Sequence, residues 1–343
     1  MTQSPISNLL SPAPLRIGIL GAARIAPWAV IDPARRLPGV EVVAVAARDP
    51  ARALAFTRRH AVPRLHTSYA DLLADPAIDA VYNPLPNSLH AEWSLRALAA
   101  GKHVLCEKPI AANAAEAEQL AQAAQAAAAR GLLLGEAFHY RYHPLARRMK
   151  EVIAGGEIGA LRRMEVAFLT PMLRRDDIRL HYELGGGALM DLGCYAVNLL
   201  RFLAGAEPEV VRADARLWSP GVDRAVRAGL RFPGGVDATL HVALKHWGVP
   251  TVSCRVEGTA GELRVVNFVL PHLFHRFEVL TAAGWRRESF PGATTYYHQL
   301  RAFARAVRGE GAFPTDAADG LRTMRVIDAL YRIAGLPLRG MTG

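Results

Sequence analysis

Between residues 15 and 135, short apolar runs alternate with amphipathic stretches, and few folds accommodate that rhythm. Residues 15–20, Leu-Arg-Ile-Gly-Ile-Leu, read as a strand that runs into Gly21-Ala22-Ala23-Arg24-Ile25-Ala26 and a helix. Residues 40–47, 78–82 and 103–106 read as later strands, with a helix over 91–100 between the last two. The segment 111–130 is so rich in Ala, Glu and Gln that intrinsic propensity alone predicts a helix. Leu132-Leu133-Leu134 closes this part. Strands that alternate with helices form a parallel sheet covered on both faces.

The texture then changes. Residues 164–168 and 236–244 alternate apolar and polar side chains, as strands of an antiparallel sheet do. Residues 251–257 and 262–266 read as further strands around Gly258 and Gly261, and amphipathic helices over 297–308 and 317–333 finish the chain. The expected organisation is a loose tail at 1–14, an α/β domain with a parallel sheet at 15–136, and an α+β domain with a mainly antiparallel sheet at 137–343.

With 343 residues the chain has room for such a pair of cores. Its net charge of +10 is spread along the sequence, mostly as Arg, with no Lys/Arg tract and no interleaved aromatics, so a phosphorylated cofactor or anionic partner accounts for it better than nucleic acid. No apolar run approaches the roughly 20 residues of a membrane span. Cys106, Cys194 and Cys254 stand in separate apolar segments without metal spacing, as reduced cysteines of a cytoplasmic protein do, and no metal is expected.

A glycine turn between a first strand and its helix offers backbone N–H groups and a helix N-terminus to a pyrophosphate. Here the pattern is degraded: Gly21, Ala23 and Ala26 stand where a full fingerprint has three glycines. The strand before and the helix after still point to a dinucleotide site carrying Gly21, Ala23, Arg24 and Ile25. The second strand ends in Ala46-Ala47-Arg48-Asp49, with no acid at its last position to accept from a ribose 2′-hydroxyl. Arg48 suits a 2′-phosphate, so NADP is the expected cofactor and NAD the alternative. Arg48 also reads as a solvated loop residue, and Asp49 as the cap of the next helix ahead of Pro50.

Cys106-Glu107-Lys108-Pro109 puts a lysine where a strand ends, in a chain with only four lysines. Some eighty residues later, Asp191, Tyr195 and Asn198 fall at i, i+4 and i+7 on an otherwise apolar helix. A buried polar stripe costs free energy unless something satisfies it. An ammonium, a carboxylate and a phenol meeting over a ligand form a proton-transfer site. A carbinol that gives up hydride must also lose its hydroxyl proton to a base. A phenol with a pKa of about 10 is too weak a base near neutrality, and a neighbouring ammonium lowers that value. Lys108 is therefore expected to depress Tyr195 or to act on the hydroxyl itself, with Asp191 orienting the lysine. The Lys108-Pro109 bond is expected to be cis. Plainer readings stand beside these: a loop turn at Glu107-Lys108-Pro109, flexible glycines at 185–187, a first-turn acid at Asp191 and a core aromatic at Tyr195.

From Leu15 to about Pro337 the sequence resembles the family of glucose–fructose oxidoreductase, inositol dehydrogenase and rhizopine-catabolism proteins (Gfo/Idh/MocA). The resemblance rests on Gly18-Ile19-Leu20-Gly21, Asn83-Pro84-Leu85-Pro86-Asn87-Ser88-Leu89-His90, Glu107-Lys108-Pro109, Tyr140-Arg141-Tyr142-His143-Pro144 and the run from Gly185 to Tyr195. It implies that Lys108 is the catalytic lysine and that Asp191 and Tyr195 fill the family's Asp-x-x-x-His/Tyr pair. It also implies an N-terminal dinucleotide-binding Rossmann domain and a C-terminal substrate-binding and oligomerisation domain with an open, mainly antiparallel sheet, with Leu85, Asn87 and His90 at the cofactor and Arg141 and Arg179 lining the substrate pocket. Glu107, beside Lys108, is expected at the cofactor as well, and Asn198, on the polar stripe of Asp191 and Tyr195, at the substrate. Ala23 in place of glycine and His139 where many relatives have Asn are departures.

The expected function is an NADP-dependent oxidoreductase, working as a homodimer or homotetramer on a secondary alcohol or ketone of a sugar, cyclic polyol or diol. The same resemblance leaves two alternatives, a nicotinamide-dependent glycoside hydrolase and a non-catalytic cofactor-binding regulator.

Overall fold

A computed structural model describes residues 13–171, 177–244 and 248–340, so residues 1–12 of the expected tail lie outside the described residues. Strands β1 (Leu15–Leu20), β2 (Val40–Ala46), β3 (Arg64–His66), β4 (Ala80–Asn83), β5 (His103–Cys106) and β6 (Leu134–Glu136) form one parallel sheet in the order β3-β2-β1-β4-β5-β6. That is the doubly wound order, with its switch point between β1 and β4. β4 is buried at every position, which explains why such strands read as continuous apolar runs.

The helices between them are α1 (Asp32–Arg36), α2 (Pro50–His60), α3 (Tyr69–Ala74), α4 (His90–Ala99) and α5 (Ala114–Ala128). Side chains define their starts. Asp49 accepts from the amides of Ala51 and Arg52 at 3.0 and 3.1 Å, and Asn113 accepts from Glu116 N at 2.9 Å. Caps of this kind contribute about 1 kcal/mol each. The helix expected over 111–130 begins only at Ala114, because Asn113 is extended to cap it and Ala111 and Ala112 are buried in the core.

After α6 (Pro144–Ala154) come β7 (Leu161–Leu169), α7 (Cys194–Ala204), β8 (Glu209–Ser219), β9 (Val222–Phe232), β10 (Val236–Ala243), β11 (Thr251–Gly258), β12 (Glu262–Val266), β13 (Arg276–Thr281) and β14 (Gly284–Glu288). They build a second sheet in the order β14-β13-β12-β11-β7-β10-β9-β8. Its neighbours are antiparallel except β7 and β10, which pair in parallel. In β10 the alternation sends Val236, Ala238, Leu240 and Val242 into the core and leaves Asp237 outward.

Helices α8 (Thr295–Val307) and α9 (Ala317–Ile333) close the chain. The end of the chain returns to the first sheet: Asn113 Nδ2 donates to Arg339 O at 2.8 Å, and Ala114 N donates to Asp328 Oδ2 at 3.1 Å. The stretch 182–204 is long and apolar enough for a membrane span by composition alone, but 83% of its most apolar window is buried inside the protein.

Candidate active site

Side chains just past the ends of the parallel strands converge on one cleft of about 860 Å³. After β1 the chain turns at Gly21, whose φ of +91° suits glycine and whose missing Cβ leaves room for Leu85. Gly21 N donates to Ala46 O at 2.6 Å, and Ala23, Arg24 and Ile25 then border the cleft. Leu85 and Asn87 follow β4, Glu107 and Lys108 follow β5, and His139 follows β6. Asp177, Arg179, Asp191 and Tyr195 form the opposite wall, with Tyr296 from α8. The cleft therefore lies over the switch point, where open α/β sheets bind ligands.

Lys108 Nζ donates to Asp191 Oδ1 at 2.8 Å and to the Asp191 carbonyl oxygen at 3.0 Å. The second Asp191 oxygen accepts from Arg179 Nη1 at 3.0 Å, and Asp177 holds Arg179 through two bonds of 2.8 and 3.0 Å. Charges thus alternate along a partly dry row. Burial opposes the Lys108 charge, but Asp191 outweighs it and holds the ammonium above the ordinary lysine value. Burial likewise opposes ionisation of Asp191, yet Lys108 and Arg179 keep its carboxyl below the usual range. The Lys108-Pro109 peptide is cis.

The sequence led us to expect a depressed Tyr195 pKa, and the structure reverses the direction. Burial, then the neighbouring Tyr296 and Glu107, push this phenol well above its ordinary value. The Lys108 ammonium lies over the ring, 4.9 Å from its centre, with Asp191 beside it. Tyr195 OH has a different partner, His139 Nε2 at 3.0 Å, and His139 Nδ1 lies 2.9 Å from Thr295 Oγ1. Burial pushes the His139 imidazole down to about 3, with Lys108 and His272 adding to the effect, so the ring is neutral. A neutral ring accepts at one nitrogen and donates at the other, which suits a phenol donor on one side and a threonine acceptor on the other. Sequence reasoning noted His139 only as a departure. Its partners are 56 and 156 residues away, and no local pattern announces them.

Several expected ligand contacts are placed differently. His90 borders the cleft, but it is 1% exposed, with its ring nitrogens 2.7 Å from the carbonyl oxygens of Leu85 and Pro109. It braces one loop against the other. Asn198 lies one turn beyond Tyr195, too deep for the cleft. There its amide meets Tyr140 OH at 2.7 Å, Arg141 at 3.2 Å and Asp319 at 3.1 Å. Arg141 belongs to the same buried cluster, stacked 3.9 Å over the Phe202 ring. Neither Asn198 nor Arg141 forms part of the cleft wall. The Glu107 carboxylate accepts from Tyr82 OH at 2.6 Å, and burial raises its pKa. Arg48 is exposed at the end of β2, outside the cleft itself.

Two contacts clasp the two walls. Arg24 reaches Asp177 at 3.6 Å, and Asn87 Nδ2 donates to Gly185 O at 2.9 Å. The glycines at 185–187 are not slack either. A Cβ on Gly186 would sit 2.5 Å from Arg179 O and 2.7 Å from His181 O, so its absence lets that strand of backbone press in beside Asp191. Residues 189–193 form a wider helical turn, in which Cys194 N bonds back to Leu189 O before α7 begins. Turns of this kind recur at functional sites.

Two family models match the chain. One is described as an oxidoreductase family with an NAD-binding Rossmann fold and covers residues 15–135; the other is the GFO/IDH/MocA C-terminal domain and covers 146–264. D-xylose 1-dehydrogenase (NADP(+)) 2 of Haloferax volcanii is 37% identical over 323 residues, 93% of this chain and 97% of that protein. The dTDP-3,4-didehydro-2,6-dideoxy-alpha-D-glucose 3-reductase of Actinomadura kijaniata is 35% identical over 333 residues, 95% and 97% of the two chains. A crystal structure of a 3-ketoreductase from Actinomadura kijaniata with NADP and TDP-benzene has a TM-score of 0.84 and 33% identity, over 93% of this chain and 97% of that one.

Proposed function

The chain belongs to the Gfo/Idh/MocA family of oxidoreductases, and from that premise we propose an NADP-dependent dehydrogenase or reductase for a secondary alcohol or ketone of a sugar or related polyol. The observation that carries this reading is the Lys108–Asp191 pair, 2.8 Å apart, in the same cleft as the Tyr195 phenol. The similar proteins named above, a xylose dehydrogenase and a ketosugar reductase, support the substrate class. A panel of aldoses, ketoses and cyclic polyols, followed at the nicotinamide absorbance, tests it. NADP binding without turnover of any of them would overturn it.

The residues present fit a phosphorylated dinucleotide. Gly21 leaves backbone space at the turn, and the Arg52 guanidinium donates to Ala22 O there at 3.0 Å. Asp49 spends its carboxylate on the α2 cap and does not compete with a 2′-phosphate. Arg48→Ala should weaken NADP about tenfold or more and leave NAD nearly unchanged, since a charge-assisted contact contributes roughly 1.5–3 kcal/mol. Calorimetric titration of both cofactors measures this, and an unchanged preference would remove Arg48 from the site.

NADP, when bound, supplies or takes up the hydride. In the reducing direction, the substrate oxygen accepts hydrogen bonds from Lys108 Nζ and Tyr195 OH. The Tyr195 proton passes to that oxygen as it gains charge, and the Lys108 ammonium sits over the resulting phenolate. Asp191 holds Lys108 in place. His139 and Thr295 fix the phenol in the wall, and the one phenol proton, held by His139 Nε2 in the empty cleft, turns to the substrate oxygen when substrate is bound. His139→Phe keeps a ring against Tyr296, where the centroids are 4.2 Å apart and the planes tilted by 40°, but deletes the acceptor. It should lower kcat by roughly 2–10-fold, the worth of one hydrogen bond, while KM changes little. Because His139 is neutral above about pH 3, the kcat profile should show no limb near the ordinary histidine value. Such a limb, lost in His139→Phe, would contradict the assignment.

The three cysteines are buried and unpaired, which supports a reducing, cytoplasmic setting. The outer face of the second sheet, with Arg212, Arg227 and Thr239 around a broad depression, supports self-association into a dimer or tetramer.

A further inference from the structure

Asn198 and Arg141 stand outside the cleft wall, yet each is next to residues that form it. His139, Tyr140 and Arg141 share one short turn, 139–142, and Tyr195 precedes Asn198 by three residues on α7. A single tight turn of this kind has poor internal hydrogen bonds, so its side chains must fix its place. On one side His139 Nδ1 is held by Thr295 Oγ1 of α8 at 2.9 Å. On the other side the turn is held by Asn198. The Asn198 Oδ1 accepts from Tyr140 OH at 2.7 Å and from Arg141 Nη1 at 3.2 Å. Its Nδ2 donates to Asp319 Oδ2 at 3.1 Å and reaches Thr323 Oγ1 at 3.5 Å, both on α9.

The amide therefore uses both lone pairs and both protons, at 0% exposure. Burial pushes the Tyr140 phenol up, so it stays protonated and keeps donating. One turn further along α7, Arg201 Nη1 holds the second Asp319 oxygen at 3.1 Å. The same helix buries Leu199, Leu200 and Leu203, so bulk burial does not call for an amide at 198. A buried amide is unfavourable unless its bonds are made, and a fully made network admits one arrangement of the elements that carry it. Here that arrangement couples the turn bearing His139 to the helix bearing Tyr195. The site is in direct contact with it: the Tyr140 and Tyr195 ring centres are 6.0 Å apart, and Tyr195 OH meets His139 Nε2 at 3.0 Å.

We propose that Asn198 is a positioning residue, which acts through the His139–Tyr195 contact by locking the 139–142 turn to α7. The inference rests on the oxidoreductase reading above, in which the Tyr195 phenol gives its proton to the substrate oxygen. A helix is stiff over one turn, so a displacement at Asn198 passes to Tyr195, while a displacement of the turn carries the imidazole away. Either one changes where the phenol oxygen stands when the substrate oxygen arrives. The turn after β1 that would meet the cofactor lies on other elements and keeps its place.

The test is a double-mutant cycle. Asn198→Leu should lower kcat by roughly 2–10-fold, the worth of the hydrogen bond it sets, with KM and NADP affinity near the parent's. In the His139→Phe background the same change should lower kcat by less than about twofold, because the contact it works through is already gone. No loss in the parent, or an equal loss in both backgrounds, would overturn the proposal, since a purely structural amide adds its cost whatever stands at 139. A second pair of variants carries the test if Asn198→Leu does not fold. Asn198→Asp sets two carboxylates face to face where the amide now gives Asp319 a bond of 3.1 Å, and should lower both kcat and the thermal midpoint. Adding Asp319→Asn puts a donor opposite an acceptor again and keeps one anion beside Arg141, while Arg201 retains Glu207 at 2.6 and 2.8 Å. This exchange should return kcat to within about twofold of the parent. A folded double variant as slow as Asn198→Asp would overturn the proposal too. The ring-nitrogen NMR signals of His139, identified by their loss in His139→Phe, report the same contact without substrate. They should move in Asn198→Leu or Asn198→Asp and return in the exchange, and signals that stay unmoved would overturn the lock. Signals that move in a protein that turns over no sugar would keep the lock and sink the reading it rests on.

Discussion

Tyr195→Phe should lower single-turnover hydride transfer by roughly 10²–10⁴-fold while NADP affinity and thermal stability stay near the parent's. The substitution removes one oxygen from a buried ring that retains its packing against Phe138 and Phe168. What it deletes is the proton that the substrate oxygen needs. Burial keeps this phenol protonated at neutral pH, so it is ready to donate in the reducing direction. Lys108→Ala should cost at least as much, because it takes away the charge that stabilises both the substrate oxygen and the phenolate. Lys108→Arg should not restore activity: a planar guanidinium cannot occupy the compact position between Asp191 and the Tyr195 ring, and it exchanges protons poorly. The double variant should be far from additive, since the two groups serve one transition state. The measurement is a single turnover on a substrate from the sugar panel. If Tyr195→Phe transfers hydride within a few-fold of the parent, Lys108 is the acid and the phenol is a wall.

The parallel sheet was readable because its strands are short apolar runs punctuated by amphipathic helices, and β1 and β5 stand where the patterns put them, as β12 does in the second sheet. The strands that escaped notice have identifiable reasons. β8 reads Glu-Val-Val-Arg-Ala-Asp-Ala-Arg-Leu-Trp-Ser, and its register with β9 slips at several points, which breaks the period-two signal. β14 is an edge strand with exposed or half-exposed positions throughout, and its one apolar residue, Trp285, makes no alternation to mark it. Alternation also carries no information about direction, and the parallel pairing of β7 with β10 was invisible for that reason.

The candidate site shows the same division. Lys108, Asp191 and Tyr195 were legible because each is an unusual residue type for its position, a lysine at a strand end and polar groups in an apolar helix. Helical spacing alone put Asn198 on the same face, but it could not say that the cleft ends one turn earlier and that Tyr140 and Asp319 claim that amide. Nor could it give the pKa of Tyr195, which depends on burial and on neighbours such as Tyr296 that are distant in sequence.

Arg339→Ala should destabilise the protein by about 3–5 kcal/mol, the usual cost of stripping one partner from a buried ion pair. Arg339 Nη2 lies 2.8 Å from Asp223 Oδ1, and both side chains are 0% exposed. The guanidinium also donates to Gly186 O at 2.7 Å, while Asp223 accepts from Leu189 N at 2.7 Å and Tyr331 OH at 2.9 Å. The pair therefore pins both sides of the segment that delivers Asp191 to Lys108, and its loss should cost turnover as well as stability. Burial already raises the Asp223 pKa against the pull of Arg339. Without Arg339 the carboxyl rises further, so the folded state takes up a proton that the unfolded chain releases. A folded pKa raised above the unfolded one favours folding more as pH falls, and the deficit of Arg339→Ala should shrink between pH 8 and pH 5. Asp223→Asn combined with Arg339→Met should recover much of the loss, because the neutral amide still accepts from Leu189 N and no charge is left unpaired. Denaturant unfolding of the three proteins at both pH values decides the matter. A pH-independent deficit, or a double variant no better than Arg339→Ala, would show that Arg339 stabilises through packing on Tyr182 and Tyr331 rather than through its charge.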